Sequence, residues 1–377
     1  MIYFDSASTS YYRPKIVIQS AVKAMSEFGN SGRGGHPAAI SAARAIYDAR
    51  VSVAPFFGAQ PNQIAFTNNA TTALNTAIFG LLDSNCHAIT TVLEHNSVLR
   101  PLYKLQRDGL FLDIVGLAPD NSLDYSAFGK MLRKNTKCII VTHCSNVTGQ
   151  IMNLDYLADF CEENGLILIV DAAQSAGILP IDIQRLGRAV VCFTGHKGLL
   201  GPQGTGGLVV NNVEISPMVV GGSGNNSFSQ YHSDILPESL EAGTLNAHGI
   251  AGLAAGARYI SEKGIEAVSN EGLSLAAIFE EGIKGIQGVK ILGNPELPKV
   301  PTVCMNIGSM DSAEVEAVFA EREICVRGGF HCAPLMHKAL GTEVQGAVRF
   351  SFSSFNTIAQ VKTAISAVAE IAKESGV

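Results

Sequence analysis

Short apolar runs alternate with segments of helical periodicity from about residue 63 onward. The apolar runs are rich in Val, Ile and Leu and occupy residues 63–67, 87–93, 111–115, 138–142, 166–170, 189–193 and 207–210. Helical patterns lie between the earlier runs, at residues 70–82, 98–107 and 125–132. Strands that alternate with helices are typical of crossover connections around a largely parallel sheet. The pattern therefore predicts an α/β fold with a sheet of about seven strands, covered on both faces.

The C-terminal third of the chain predicts a second, smaller α/β layer. It combines helical patterns with three further apolar runs, at residues 245–286, 289–292, 303–307, 313–320, 348–353 and 358–372. Before it, residues 217–243 lack periodicity and are rich in Gly, Ser and Asn, which indicates a long loop. We expect a large domain over residues 13–245 and a small domain formed by residues 1–12 and 246–377.

Composition and charge narrow the class of protein. The 377 residues are 47% hydrophobic and 16% charged, which is typical of a globular chain with a large core. The net charge of -6, without a cluster of Lys and Arg, argues against a nucleic-acid partner. No apolar run is long enough to cross a membrane, and the N-terminus lacks a signal-peptide pattern, so we expect a cytoplasmic protein. The eight cysteines are scattered without metal-ligand spacing, so we expect reduced thiols and no metal site.

A lysine and an aspartate at two strand ends predict the cofactor. In a doubly wound sheet, ligands bind beyond the carboxyl ends of the strands. Asp171 follows the run at 166–170, and Lys197 lies in a Gly-flanked loop after the run at 189–193. A lysine can form a Schiff base with the aldehyde of pyridoxal phosphate, and an acid can keep the pyridine nitrogen protonated. The pair therefore predicts a pyridoxal phosphate enzyme.

Other strand ends carry groups that suit the same cofactor. Ala70 and Thr71 open a helix, where backbone amides favour a phosphate. His95 follows the next apolar run and is suited to lie over a flat aromatic ring. Four more polar residues follow later strands: Asn146, Gln174, Thr194 and His196. Each has an ordinary structural explanation as a cap or turn residue, so the hypothesis depends on their coincidence.

Several motifs resemble one family of pyridoxal phosphate enzymes. The runs Asp-Ala-Ala-Gln at 171–174 and Thr-Gly-His-Lys at 194–197, the glycine-rich run at 201–206, His95 and Asn146 are similar to class V aminotransferases, specifically cysteine desulfurases and selenocysteine lyases. The resemblance spans nearly the whole chain and implies fold type I, the aspartate aminotransferase-like fold. It implies a Schiff base on Lys197, a bond from Asp171 to the pyridinium nitrogen and stacking by His95. It also implies phosphate contacts from Ala70, Thr71, Thr194 and His196, and 3'-oxygen contacts from Gln174 and Asn146.

The same resemblance implies a homodimer with shared active sites. The segment Glu-Ala-Gly-Thr at 241–244 is similar to the family segment that reaches the phosphate of the neighbouring subunit, here through Gly243 and Thr244. An entrance loop is matched only in part, by Arg33 and His36, which we take as candidate substrate-binding residues.

Cys332 selects among the reactions of the family. It lies on a loop that Gly328 and Gly329 precede and Pro334 follows, and it stands beside His331 near a predicted helix start. Such surroundings can favour the reactive thiolate. The loop resembles the sulfur-accepting loop of the second group of cysteine desulfurases. The resemblance implies that L-cysteine is converted to L-alanine and that a persulfide on Cys332 is passed to an acceptor protein, as in iron-sulfur cluster assembly.

The resemblance also implies how the substrate is held. Arg349 matches the arginine that binds the substrate carboxylate, a task suited to a bidentate guanidinium. Arg327, at the start of the cysteine loop, and Asn146 are further candidates for substrate contacts.

Three departures from the family pattern indicate an outlying subgroup. Thr72 stands where the family commonly has Glu, Asn96 where the second group commonly has His, and Phe330 where the first His of the cysteine loop is expected. Two alternatives stay open from the sequence: an L-selenocysteine lyase, and another class V enzyme, such as an aminotransferase, in which Cys332 is incidental. A sulfur-relay scaffold without activity is disfavoured because the lysine, aspartate, histidine and arginine occur together.

Overall fold

The computed structural model describes residues 1–32, 34–224 and 227–376. Its strands are β1 (Ile2–Tyr3), β2 (Ile64–Thr67), β3 (His87–Thr91), β4 (Phe111–Val115), β5 (Thr136–Thr142), β6 (Ile167–Asp171), β7 (Ala189–Thr194), β8 (Gly206–Asn211), β9 (Val289–Ile291), β10 (Thr302–Ile307), β11 (Ile324–Cys325) and β12 (Val348–Ser351). Its α-helices are α1 (Lys15–Glu27), α2 (Pro37–Val53), α3 (Ala70–Leu81), α4 (Asn96–Arg107), α5 (Ala127–Met131), α6 (Leu154–Glu163), α7 (Ala247–Lys263), α8 (Ile265–Ile283), α9 (Ser312–Glu321), α10 (Pro334–Leu340) and α11 (Ile358–Glu374).

The predicted large sheet is confirmed. Seven strands pair in the order β2-β8-β7-β6-β5-β3-β4, and all are parallel except β8, which is antiparallel to both of its neighbours. Buried side chains pack on both faces of the sheet, as the Val- and Ile-rich runs predict. Because β3, β5, β6 and β7 are parallel, their carboxyl ends meet at one edge. The residues that follow these strands therefore lie close together.

The second layer is a three-stranded antiparallel sheet in the order β12-β10-β9, with α8 and α11 contributing to its core. The N-terminus joins it, because β1 pairs with β11 and the buried Phe4 ring packs against Phe350 and Phe352. Helix α7, by contrast, buries its apolar side chains in the core of the large sheet. The division of the chain at residue 246 stays a prediction.

Four described helices lie outside the elements that the apolar pattern predicts: α1, α2, α6 and α10, of which the start of α10 was expected from the cysteine loop. Helix α1 exposes Ile16, Ile18, Val22 and Met25 while it buries Val17 and Ala24, so its apolar residues do not form one stripe. The predicted loop at 217–243 contains one short 3-10 turn, Glu238–Leu240. Among the described residues, no helix has the length and apolarity needed to span a membrane.

Candidate active site

Nine of the eleven residues predicted to hold the cofactor line one pocket at the carboxyl edge of the large sheet. The pocket and its mouth enclose about 490 Å³ of empty space, which includes space open to solvent. Its lining includes Ala70, Thr71, His95, Asn146, Asp171, Gln174, Thr194, His196 and Lys197. The parallel strands thus bring together side chains that are more than 120 positions apart in the sequence, between Ala70 and Lys197.

Lys197 and Asp171 have the electrostatic properties that Schiff-base chemistry requires. Burial lowers the pKa of the Lys197 amine to about 8, and the nearby Arg349 charge adds to the effect. Asp171 ends β6, is buried, and accepts a hydrogen bond of 2.9 Å from the Ala173 backbone N–H. Burial raises the pKa of the Asp171 carboxyl, which the Ala173 N–H and Lys197 partly counteract. A lysine with this pKa exchanges its proton readily near neutral pH.

The start of α3 has the local geometry expected of a phosphate site. Asn69 caps the helix by accepting a 2.9 Å hydrogen bond from the Thr72 N–H, and Ala70 and Thr71 form its first turn. Strand β8 passes close to this point, since a Cβ at Gly206 would lie 2.7 Å from the Asn69 Cα. The close approach and the helix N-terminus make a tight site that favours a phosphate.

His95 is neutral and its tautomer is fixed. It caps α4, and its Nδ1 accepts a 3.0 Å hydrogen bond from the Ser97 N–H, which leaves the proton on Nε2. Burial lowers the pKa of His95 to about 4, assisted by the Lys197 and Arg349 charges. The Ser97 hydroxyl also pairs with Thr71 at 2.8 Å. His95 therefore offers a neutral ring with one donor to the pocket.

Arg349 is buried and bonds the N-terminal segment to the edge of the pocket. Its Nη2 donates to Asp5 at 3.0 Å and to the Ser8 hydroxyl at 2.8 Å, and its Nη1 donates to the Asn146 carbonyl at 2.9 Å. Its Nε is buried without a partner among the described residues. Arg327 is exposed and donates to Ser8 at 2.9 Å. Arg349 thus retains one donor without a hydrogen-bond partner, but it is not among the residues that line the Lys197 pocket.

Asp5 and Ser8 are functional candidates that the sequence reasoning missed. Both residues follow the short strand β1, within a mostly polar run from Asp5 to Ser10 that could have drawn attention to them. The sequence does not reveal their contact with Arg349, because Asp5 and Arg349 are 344 positions apart.

Asn146 and Gln174 line the pocket but are bonded to the protein itself. The Asn146 amide donates to the His331 carbonyl at 2.6 Å, and the Gln174 amide donates to the Ala7 carbonyl at 3.1 Å. Asn146 thereby links the pocket to the cysteine loop, which was not predicted.

Cys332 is exposed on a loop that is firmly held. Its carbonyl accepts a 2.7 Å hydrogen bond from the Asn96 N–H, and the Ala333 N–H donates to the Phe330 carbonyl at 2.9 Å. Cys332 lines a groove that also contains His95, Ser97 and Thr71, and these three residues line the cofactor pocket as well. The thiol therefore stands at an opening that shares walls with the Lys197 pocket.

The expected assistance of Cys332 by His331 is not found. The His331 ring is buried, with Nε2 3.1 Å from the Arg327 carbonyl and Nδ1 3.3 Å from His337 Nε2. Burial lowers the pKa of His331 to about 3, so the ring is neutral. Sequence adjacency did not reveal that the ring packs inward, and His331 supplies no positive charge to the thiol.

Besides Arg327, Cys332 and Arg349, three further predicted residues are not among those that line the Lys197 pocket, and a fourth lies outside the described residues. Gly243 and Thr244 line a separate, more open pocket together with residues 30–32. His36 is exposed and caps α2 by accepting a hydrogen bond from the Ala39 N–H at 3.4 Å. Arg33 lies outside the described residues. Within one chain, Gly243, Thr244 and His36 are not among the residues that line the pocket.

Glu94 is a further buried group near the site that the sequence analysis did not identify. Its Oε1 accepts hydrogen bonds from the Thr91 hydroxyl at 2.7 Å and the Thr142 N–H at 3.1 Å, so it connects the ends of β3 and β5. Burial raises the pKa of Glu94 to about 8. The carboxyl is therefore mostly protonated at neutral pH, immediately before His95 in the chain.

A buried ion pair holds the segment that contains Gly243 and Thr244. Arg50 of α2 donates to both carboxylate oxygens of Glu241 at 2.8 Å, and Glu241 also accepts from the Phe66 N–H at 2.6 Å. A bidentate pair of this kind fixes direction as well as distance. The segment at 241–244 is thereby attached to β2 and α2.

Comparison with known proteins agrees with this geometry. The family model described as Aminotransferase class-V matches residues 2–363. The chain belongs to the class-V aminotransferase family. A probable cysteine desulfurase of Pyrococcus abyssi is 34% identical over 99% of this chain and 94% of the relative. One of Methanothermobacter thermautotrophicus is 30% identical over 98% of this chain and 94% of the relative.

Solved structures of cysteine desulfurases have the same fold. The apo structure of cysteine desulfurase from Thermococcus onnurineus NA1 superimposes with a TM-score of 0.92 at 33% identity, covering 99% of this chain and 95% of the other. The cysteine desulfurase CsdA (S-sulfonic acid) from Escherichia coli superimposes with a TM-score of 0.88 at 27% identity, covering 99% of this chain and 94% of the other. The predicted family and fold type I are confirmed. Class-V aminotransferases are generally pyridoxal phosphate enzymes.

Proposed function

We propose that this chain is a pyridoxal phosphate-dependent cysteine desulfurase, which converts L-cysteine to L-alanine and takes the sulfur as a persulfide on Cys332. One observation carries the proposal: the Lys197 pocket and the groove of the exposed Cys332 share the walls formed by Thr71, His95 and Ser97. A transaminase needs the pocket alone. The cysteine desulfurases among its relatives and structural neighbours support the same reaction.

The residues of the pocket fit pyridoxal phosphate. The α3 start and the close approach of Gly206 suit the phosphate, the buried Asp171 carboxyl suits a pyridinium nitrogen, and the neutral His95 ring suits an aromatic face. Lys197 would hold the aldehyde carbon. When bound, pyridoxal phosphate supplies an electron sink for the carbanion that forms next to the substrate carboxylate.

The side chains of the protein perform the remaining steps. Arg349 binds the substrate carboxylate through its unpartnered Nε, in a site where Asp5 and Ser8 fix the guanidinium plane. The Lys197 amine, with its pKa near 8, removes the α-proton and later returns a proton to the product. The Cys332 thiolate attacks the substrate sulfur, so that an S–S bond forms as the C–S bond breaks. The products are L-alanine and a Cys332 persulfide.

Two variants test the cofactor and the nucleophile. Lys197→Ala is expected to lose the visible band at roughly 420 nm that a lysine-bound cofactor of this class gives, whereas the exposed Lys130→Ala keeps it. Cys332→Ala is expected to lose persulfide labelling and most alanine release from L-cysteine. Cys325→Ala, a partly buried control, keeps both. If Cys332→Ala releases alanine undiminished, the nucleophile is wrongly assigned.

Two substrate comparisons separate the remaining alternatives. Release of alanine from L-cysteine without any keto acid would exclude an aminotransferase. A rate with L-selenocysteine that far exceeds the rate with L-cysteine, and that survives Cys332→Ala, would identify a selenocysteine lyase instead.

We also propose a homodimer whose active sites are shared. Thr244 lies away from the pocket of its own chain, in a segment fixed by the Arg50–Glu241 pair. Large apolar side chains are exposed on α1 and α2 and on the long loop, where Phe228 is fully exposed and Tyr231 is 84% exposed. Exposed apolar surface of this extent commonly marks an interface. A second copy would cover it and bring Thr244 to the partner pocket.

Mixed dimers test the sharing of sites. Lys197→Ala inactivates the pocket of its own chain, and Thr244→Glu repels a phosphate in the pocket that Thr244 reaches. Dimers that combine one chain of each kind regain one complete pocket if the sites are shared, so activity returns on mixing after reversible dissociation. Continued inactivity of verified mixed dimers would refute the shared site.

A further inference from the structure

A groove leads away from Cys332 between α3 and α4. It has about 810 Å³ of empty space, and His95 and Ser97 lie among its lining residues together with Cys332. Arg100 and Lys104 of α4 line one wall, and Phe79 of α3 belongs to the other. The proposed reaction uses Cys332 and His95 but not Arg100, Lys104 or Phe79.

Helix α4 carries a row of unpaired positive charges, of which the first two line the groove and the third lies beyond its lining. Arg100, Lys104 and Arg107 are spaced i, i+4 and i+7, so they lie on one face of the helix. All three are exposed, and none forms an ion pair among the described residues. The facing helix α3 has no charged residue, and its Phe79 ring lies 5.0 Å from the Lys104 Nζ. This row, which we call the basic stripe, is uncompensated although the chain has a net charge of -6.

The basic stripe is fixed in position relative to the thiol. The Asn96 N–H, at the first residue of α4, bonds the Cys332 carbonyl at 2.7 Å. With a rise of about 1.5 Å per residue, Arg107 lies roughly 16 Å along the helix from Asn96. An extended peptide of about five residues spans this distance. A partner that places a thiol at Cys332 would therefore meet the stripe within about five residues of that thiol.

We propose that the groove is a docking surface for an acidic polypeptide segment, which carries the thiol that receives sulfur from Cys332. The inference rests on the proposed function. The acceptor thiolate attacks the outer sulfur of the Cys332 persulfide, the new S–S bond forms, and the bond to Cys332 breaks with release of its thiolate. The Cys332 thiolate leaves with the electron pair of the broken S–S bond, so the transfer needs no further reactant. Carboxylates near the acceptor thiol pair with the stripe, which steers the encounter.

Binding of synthetic peptides tests the surface without any chemistry. Fluorescent hexapeptides with a central Ser in place of the acceptor Cys carry Glu, Gln or Lys at the flanking positions, and anisotropy with the holoenzyme at low salt measures their affinity. The Glu peptide is expected to bind at least tenfold more tightly than the other two and to weaken with salt. The double variant Lys104→Glu/Arg107→Glu is expected to reverse the preference. The control Lys130→Glu/Lys134→Glu, with the same charge change on another exposed surface, is expected to keep it.

Three outcomes would overturn the proposal: equal affinity for the three peptides, an equal effect of the control variant, or tighter binding of a single-stranded RNA oligomer than of the Glu peptide. A change of sedimentation in the groove variant would assign the surface to a second copy of the chain and would also overturn it. A second experiment follows discharge of the persulfide by the corresponding Cys peptides, where the Glu peptide is expected to react fastest. Failure to form any persulfide would refute the proposed function, while the binding result would still decide the docking surface.

Discussion

Replacing Glu94 with Gln tests whether a protonated carboxyl lies beneath the active site. In the folded protein burial raises the pKa of this carboxyl from 4.5 to about 8. Between pH 4.5 and pH 8 the carboxyl is protonated in the folded state and ionised in the unfolded state. The free energy of unfolding therefore decreases as pH rises through this window. Each pH unit in this window corresponds to about 1.4 kcal/mol. We therefore expect the wild-type free energy of unfolding to fall, relative to Glu94→Gln, by on the order of 4 kcal/mol between pH 5 and pH 9.

The substitution keeps the contacts that the carboxyl makes. The Gln oxygen can accept from the Thr91 hydroxyl and the Thr142 N–H, and its amide does not titrate. Because the chain has no Trp, far-UV circular dichroism of the holoenzyme is the suitable probe of thermal unfolding. Asp171, whose pKa is also raised, is present in both proteins and cancels in the difference. Exposed Glu163→Gln is the control. If the melting temperatures of wild type and Glu94→Gln change with pH by the same amount across this range, Glu94 is not protonated in the folded state.

Three further predictions concern the substrate, the segment at 241–244 and the lysine. Arg349→Lys is expected to raise the KM for L-cysteine at least about tenfold, with a smaller effect on kcat, because Lys cannot reproduce the planar fork; steady-state kinetics measures this. Arg50→Met is expected to lower the free energy of unfolding by about 3–5 kcal/mol, because it leaves the buried Glu241 unpaired. The double variant Arg50→Met/Glu241→Leu is expected to recover part of this loss, as measured by the melting temperature. Cofactor rebinding to the apo protein is expected to accelerate as pH rises through about 8, where Lys197 loses its proton, as followed by visible absorbance.

The sequence was sufficient to predict that the residues of the Lys197 pocket lie close together, because a parallel sheet converts sequence order into spatial proximity. Asp171 and Lys197 follow neighbouring strands β6 and β7, and His95 follows β3 on the same edge. A residue that directly follows a predicted strand can be placed without knowing any side-chain contact. Predicting that these three residues lie close together thus required only the positions of the strand ends and the parallel direction of the strands.

Features that depend on burial or on distant pairing could not be predicted in this way. The bond between Asp5 and Arg349 joins the two ends of the chain. The neutral state of His331 depends on its packing against His337. The protonation of Glu94 depends on its complete burial in the folded chain. None of these has a local pattern in the sequence.

The substrate site and the cysteine loop form one hydrogen-bonded unit. Arg349 donates to the Asn146 carbonyl, and the Asn146 amide donates to the His331 carbonyl, one residue before the thiol. His331 and Cys332 both have positive φ, at 50° and 55°, a conformation that costs non-glycine residues roughly 1–2 kcal/mol each. The bonds from Asn146 and Asn96 to these two carbonyls offset that cost. The position of the thiol therefore depends on the same arginine that would hold the substrate carboxylate, so in the proposed reaction substrate binding and orientation of the nucleophile would depend on shared contacts.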